Sequence, residues 1–156
     1  MFTRTTQLIG PDGFRALQES RVIIFGVGGV GGWCAESLLR TGIGHMTLVD
    51  FDVVDRTNLN RQVVATHDNI GQSKVIEMQK RLLSICPDAD VQAIERQYNA
   101  ETAASFDLAQ YDIVVDAIIG SVVGTAASSK AQQHYSSQNK RQNLFHKNLL
   151  FHLITL

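Results

Sequence analysis

Residues 26–31 read GVGGVG, and they lie between an apolar run and a segment of helical pattern. Such a G-x-G-x-x-G turn does anion chemistry. Gly26 permits the tight turn, Gly28 lets backbone N–H groups approach a phosphate, and Gly31 lets the following helix pack close to the strand. The helix start adds free N–H donors and about half a positive charge. Downstream, VDFDVVDRTNLNRQ at 49–62 opens with Asp50 and Asp52 and closes with Asn58, Arg61 and Gln62. Carboxylates at the end of a second strand can accept hydrogen bonds from ribose hydroxyls, or can cap a turn. Arg61 offers a planar fork for phosphate oxygens, and Lys74 a point charge. Gln62 can donate an amide hydrogen. Asn58 can bond a phosphate or hold its own loop. An NAD enzyme would use the same glycine loop and a similarly spaced acid, but has no general need for Arg61, Gln62 and Lys74. A nucleoside triphosphate does, because its transfer chemistry is largely positioning and charge neutralisation.

These residues need a particular scaffold. Val22 to Phe25 is a continuous apolar run, as in a strand buried on both faces. Ala35, Leu38 and Leu39 form a helical apolar face, and Gly42 suits the helix end. HMTLVD (45–50) is a second strand. GQSKVIEMQKRLLSICP (71–87) is a helix, with Val75, Met78, Leu82 and Ile85 near helical spacing and Pro87 just past its end. VQAIE (91–95) is a third strand, AETAASFDLA (100–109) a short helix, and YDIVVDAII (111–119) a fourth strand. The segment 10–20 forms a further short helix. Alternation of strand and helix predicts an α/β fold, a Rossmann-like parallel sheet with flanking helices.

The 156 residues suffice for one ordinary domain, and their net charge of −1 provides no global field for nucleic acid. Cys34 and Cys86 form no spaced pair, and the five histidines lack metal spacing, so no metal ligand set is read directly. A cytoplasmic setting is the simplest reading. No signal-like start and no apolar run of about 18 residues occur, so neither export nor a membrane span is expected. The charge distribution is uneven. All 15 acids lie at or before Asp116, whereas Lys130, Lys140, Arg141 and Lys147 follow it. A composition boundary near residue 118 divides the chain into 1–118, a nucleotide-binding unit, and 119–156, a divergent tail.

The joint pattern GVGGVG, GIGHMTLVDFDVVDRTNLNRQ and GQSKV resembles the ThiF/MoeB/HesA family, relatives of ubiquitin-activating enzymes, over roughly residues 2–117. The stretches FTRTTQLIGPDGFRAL and GVGGVGGWCAESLLRTGIG look more like its branch of tRNA threonylcarbamoyladenosine dehydratases. The resemblance implies a ThiF-type nucleotide-binding fold, ATP with Mg²⁺, and activation of a carboxylate at the α-phosphate. The partner would be tRNA, or a ubiquitin-like sulfur-carrier protein in the runner-up branch. By carry-over, Gly26, Gly28, Gly29 and Gly31 line the phosphates and Asp50, with Asp52, serves the ribose. Asn58, Arg61, Gln62 and Lys74 bind the triphosphate and stabilise charge in the transition state, which makes Arg61 and Lys74, with Arg4, the catalytic candidates. Arg4 matches an N-terminal arginine that reaches the partner subunit's site, which implies a functional homodimer.

The pattern breaks at the fourth strand. The family ends it D-x-x-D, the second acid being tied to magnesium. Here Asp116 matches the first, and Ile119 stands in place of the second. Isoleucine has no oxygen donor for a hard cation. After this point no further motif of the family is recognised, and the C-terminal part of the fold is read as missing. Either the tail is a divergent natural ending or the reading frame shifts near codon 118. Reduced activity, or a non-catalytic remnant that still binds nucleotide, is the corresponding expectation.

Overall fold

The computed structural model describes residues 1–118. The elements are α1 (Thr3–Glu19), β1 (Arg21–Phe25), α2 (Gly31–Thr41), β2 (His45–Asp50), α3 (Lys74–Ile85), β3 (Asp90–Glu95) and β4 (Ile113–Asp116). The four strands form one parallel sheet in the order β3-β2-β1-β4. The α/β expectation therefore holds, as do the two central strand–helix–strand alternations, β1–α2–β2 and β2–α3–β3. Chain order runs outward from β1 to β3 and then returns to the other side of β1. The β1/β4 boundary is thus a topological switch point, where the ends of parallel strands leave a crevice.

Strand alternation assigns the two faces. Val22, Ile24, Met46, Leu48 and Val91 meet Ala35 and Leu39 of α2 and Val75, Met78 and Leu82 of α3 in one buried cluster. Burying each such side chain is worth about 1.5–3 kcal/mol, so this face fixes the register. On the other face Phe25 stacks on Tyr98 at a centroid distance of 3.9 Å and meets Phe106 edge-on at 5.3 Å. Tyr111 donates its hydroxyl to Thr47 Oγ1 at 3.1 Å.

Three expectations change. First, the N-terminal helix begins at Thr3 rather than near residue 10. It contains a break at Gly10 (φ 76°, ψ 166°), followed by Pro11; glycine permits the left-handed turn, and proline restarts the helix. Second, 100–109 is not a helix. It contains 3-10 turns at Ala103–Ser105 and Leu108–Gln110. Asn99 Oδ1 accepts the N–H groups of Glu101 and Thr102, and Asp107 accepts that of Ala109, so side chains outcompete the helical ladder. Third, β4 is shorter than 111–119. Ile119 and the tail at 119–156 lie outside the described residues. Among the described residues no helix is long and apolar enough to cross a membrane.

Candidate functional site

The glycine loop leaves β1 at the switch point. Gly26 has φ 85°, and its N–H donates to Val49 O at 2.8 Å. A Cβ at Gly26 would stand 2.9 Å from Ala117 O, and one at Gly31 would stand 1.8 Å from Gly26 O. The loop therefore returns on itself against the residues that follow β4. Among the described residues, the N–H groups of Gly28, Gly29 and Val30 have no hydrogen-bond acceptor. They sit immediately before the first turn of α2, where the helix dipole favours an anion.

Asp50 holds this loop. Its Oδ2 accepts the N–H of Val27 and its Oδ1 that of Asp52, both at 2.8 Å. The carboxylate is buried, and it fixes the loop to the start of the crossover between β2 and α3. Each oxygen retains one lone pair that a hydroxyl could use. The cap reading and the ribose reading are thus compatible at one residue.

The crossover brings its own side chains onto the loop. Gln62 Nε2 lies 3.6 Å from the position of a Cβ on Gly28, and Arg61 Cγ lies 3.7 Å from that of a Cβ on Gly29. Gln62 is 8% exposed, and its Oε1 is buried with no partner among the described residues. An orphaned buried amide oxygen is costly unless something bonds it. Arg61 is exposed and donates Nη1 to Thr57 O at 2.9 Å and to Asn60 Oδ1 at 3.0 Å. Among the described residues it forms no ion pair. Its charge therefore remains available to an anion.

Asn58 holds the loop: its Oδ1 accepts the N–H of Asp55 at 2.9 Å in a reciprocal capping box. The sequence reading missed Asp55. Its carboxyl sits below the usual range because the Thr57 hydroxyl and N–H donate to it. Lys74 opens α3, and its Nζ pairs with Asp52 Oδ2 at 2.9 Å. The lysine side chain is 8% exposed and that of Asp52 49%. Asp52 is thus engaged by Lys74 and lies at the solvent edge of the pair. Asp116, in register with Phe25, is exposed and accepts the N–H of Ile118 at 3.2 Å. Tyr98 is pushed up by burial and, secondarily, by the charge of Asp116.

Arg4 is the exception. It is exposed on α1, with no hydrogen bond or ion pair among the described residues. The end of α1 packs where the strands begin, since Leu17 O accepts from Gly44 N and Ser20 O from His45 N. The glycine loop lies where the strands end. Among the described residues, no group of three or more His, Cys, Asp or Glu side chains could hold a metal ion.

Sequence reasoning also missed Trp33. Its ring is 53% exposed, and its Nε1 donates to Arg61 O at 3.3 Å. The only available signal was helical period, which sets residue 33 away from the buried side of α2.

Comparison with known proteins agrees with this geometry. A family model described as "ThiF family" matches residues 2–143. The tRNA threonylcarbamoyladenosine dehydratase of Bacillus subtilis is 43% identical over 116 residues, covering 74% of this chain and 46% of that protein. The sulfur carrier protein adenylyltransferase of Thermus thermophilus is 36% identical, covering 70% of this chain and 40% of that one. Among solved structures, the Escherichia coli tRNA N6-threonylcarbamoyladenosine dehydratase in complex with ATP superposes with a TM-score of 0.82 at 34% identity, over 86% of this chain and 55% of that one. The chain spans about half the length of the relatives it matches. With the family model matched over most of the sequence and the fold shared with a solved relative, this chain belongs to the ThiF family.

Proposed function

We propose that residues 1–118 form an ATP-binding unit that serves adenylation of a carboxylate, in the manner of a tRNA threonylcarbamoyladenosine dehydratase. One observation carries this reading. Arg61 and Gln62, which among the described residues have respectively no carboxylate partner and an orphaned buried amide oxygen, overlie Gly29 and Gly28 of an anion-binding loop. That cradle fits a polyphosphate better than a dinucleotide, whose two phosphates need no such side chains.

ATP, when bound, supplies an electrophilic phosphorus and a pyrophosphate leaving group. Gly26, Gly28, Gly29 and Gly31 keep the backbone open and offer N–H groups to phosphate oxygens. Asp50 holds the loop in shape and offers its remaining lone pairs to ribose hydroxyls. Asn58 keeps the turn that presents Arg61 and Gln62. Arg61 neutralises charge as it builds on phosphate, and Lys74 adds a second cation once an anion competes with Asp52. Magnesium takes oxygen ligands and is often held by one or two carboxylates together with substrate phosphates. Ile119 offers no oxygen where the family has its magnesium-linked acid, so the exposed carboxylate of Asp116 is the donor of that motif left for the role. Arg4, on α1 at the far end of the strands, would act in the site of a second copy in a homodimer.

The substrate assignment leans on the B. subtilis relative, at 43% identity, over the sulfur-carrier adenylyltransferase, at 36%. The test is incubation of the chain with ATP, Mg²⁺ and either tRNA bearing threonylcarbamoyladenosine or a sulfur-carrier protein, followed by pyrophosphate release. Release with the tRNA alone is expected. Release with the carrier alone would reassign the substrate. Release with neither, from a chain that binds ATP, would make it a nucleotide-binding protein without turnover.

A further inference from the structure

We propose that Trp33 is a positioning residue for the phosphate-facing side chains. This rests on the ATP reading above and extends it to a residue outside the loop and the N-x-x-R-Q motif. The turn at 58–62 is closed internally: Asn58 O accepts the N–H groups of Arg61 and Gln62 at 3.1 and 2.9 Å. Internal bonds shape the turn but do not set its place above the glycine loop. Burial of Val64 in the core anchors the chain just after it, and two contacts with α2 act on the turn itself. A Cβ at Gly32 would stand 3.1 Å from Val63 Cγ1, so the bare glycine lets the crossover lie close on the first turn of α2. The indole N–H of Trp33 then donates to the carbonyl of Arg61 at 3.3 Å. Among the described residues this is the only hydrogen bond from an α2 side chain to the 58–62 backbone.

The bond acts on the residue that carries the guanidinium and on the neighbour of Gln62. The side-chain bonds of Arg61 stay within its own turn, to Thr57 O and Asn60 Oδ1, so they do not tie that turn to the glycine loop. Trp33 supplies a tie from the same helix whose N-terminus receives the phosphate. Loop, helix dipole and cationic side chain are thereby held to one rigid element.

The test compares the full chain with Trp33→Phe, which keeps an aromatic ring and removes the donor. Amide hydrogen exchange at 58–62 should rise about two- to tenfold, the worth of one hydrogen bond, while β1 and β2 amides stay unchanged and report an intact fold. Affinity for ATP should fall by a similar factor. Unchanged exchange at 58–62 overturns the proposal, and so does raised exchange with unaltered ATP affinity. Raised exchange in a chain that never bound ATP would uphold the positioning role and remove the nucleotide reading instead. A second measurement needs no variant. Trp33 is the only tryptophan, so its indole N–H gives one NMR resonance. Slow solvent exchange of that proton despite the exposed ring is expected, and exchange at the rate of a free indole contradicts the proposal.

Discussion

The glycine loop at 26–31 and the crossover at 51–74 meet at Gly28 and Gly29, yet they are built in opposite ways. The loop works through what is absent: no Cβ at Gly31, where one would stand 1.8 Å from Gly26 O, and, among the described residues, no acceptor for three N–H groups. The crossover works through what is present: Asp55, Asn58, Arg61, Gln62 and Lys74, each with a side chain tied or aimed. A site of this kind divides its labour. Backbone supplies a fixed anion cradle, and side chains supply adjustable charge. Asp50 joins the halves, since one oxygen holds Val27 of the loop and the other Asp52 of the crossover.

That division predicts different failures. Adding one methyl group to the loop should have the largest effect. Gly31→Ala forces backbone to move and is expected to cost about 3 kcal/mol or more, measured as a lowered urea midpoint. Removing the joint comes next. Asp50→Ala leaves two backbone N–H groups without their charged acceptor, and about 2–3 kcal/mol of stability should be lost in the same assay. If Gly31→Ala were neutral and Asp50→Ala severe, the loop would be held by side chains rather than by steric fit.

The smallest effect concerns Glu36, which ties α2, the helix of the loop, to α3, the helix of the crossover. Its oxygens accept from Arg40 Nε at 2.9 Å and from Arg81 Nε at 2.7 Å. Burial alone would raise its pKa, but the hydrogen bonds from Arg81 and Arg40 outweigh that and hold it below the ordinary value. A depressed carboxyl contributes stability that is present above its unfolded pKa, about 4.3, and is lost as pH falls through the folded value. Glu36→Gln should therefore destabilise the chain near neutrality and make its urea midpoint less sensitive to acid. An identical pH dependence in both proteins would show that the clamp contributes nothing through ionisation.

Much of this was legible in the sequence, because the loop's chemistry depends on residue type alone. Glycines at fixed offsets after Val22–Phe25 can do little else, and Gly42 ends α2 at φ 117° as its position suggested. The crossover was legible in content but not in arrangement. Nothing in the order of residues says that both oxygens of Asp50 bond backbone, that Asn58 caps Asp55, or that Lys74 is buried on Asp52. Those facts depend on contacts between separate segments. The segment 100–109 misled for a related reason. Its helix-forming alanines are outvoted by Asn99, Thr102 and Asp107, whose side chains capture nearby backbone. Helix α1 was read too short because Gly10-Pro11 looks like a boundary, whereas here it is an internal break.

Loop and crossover together are proposed to bind a triphosphate. Calorimetric titration of the purified chain with ATP and Mg²⁺, repeated with NADH and with Arg61→Ala, tests it most directly. Saturable ATP binding and no NADH binding are expected. Arg61→Ala should weaken ATP at least about tenfold, as expected for loss of a charge-assisted bond, with little change in stability because the side chain is exposed. Tight NADH binding without ATP binding, or an Arg61→Ala chain that binds ATP as the unaltered one does, would contradict it.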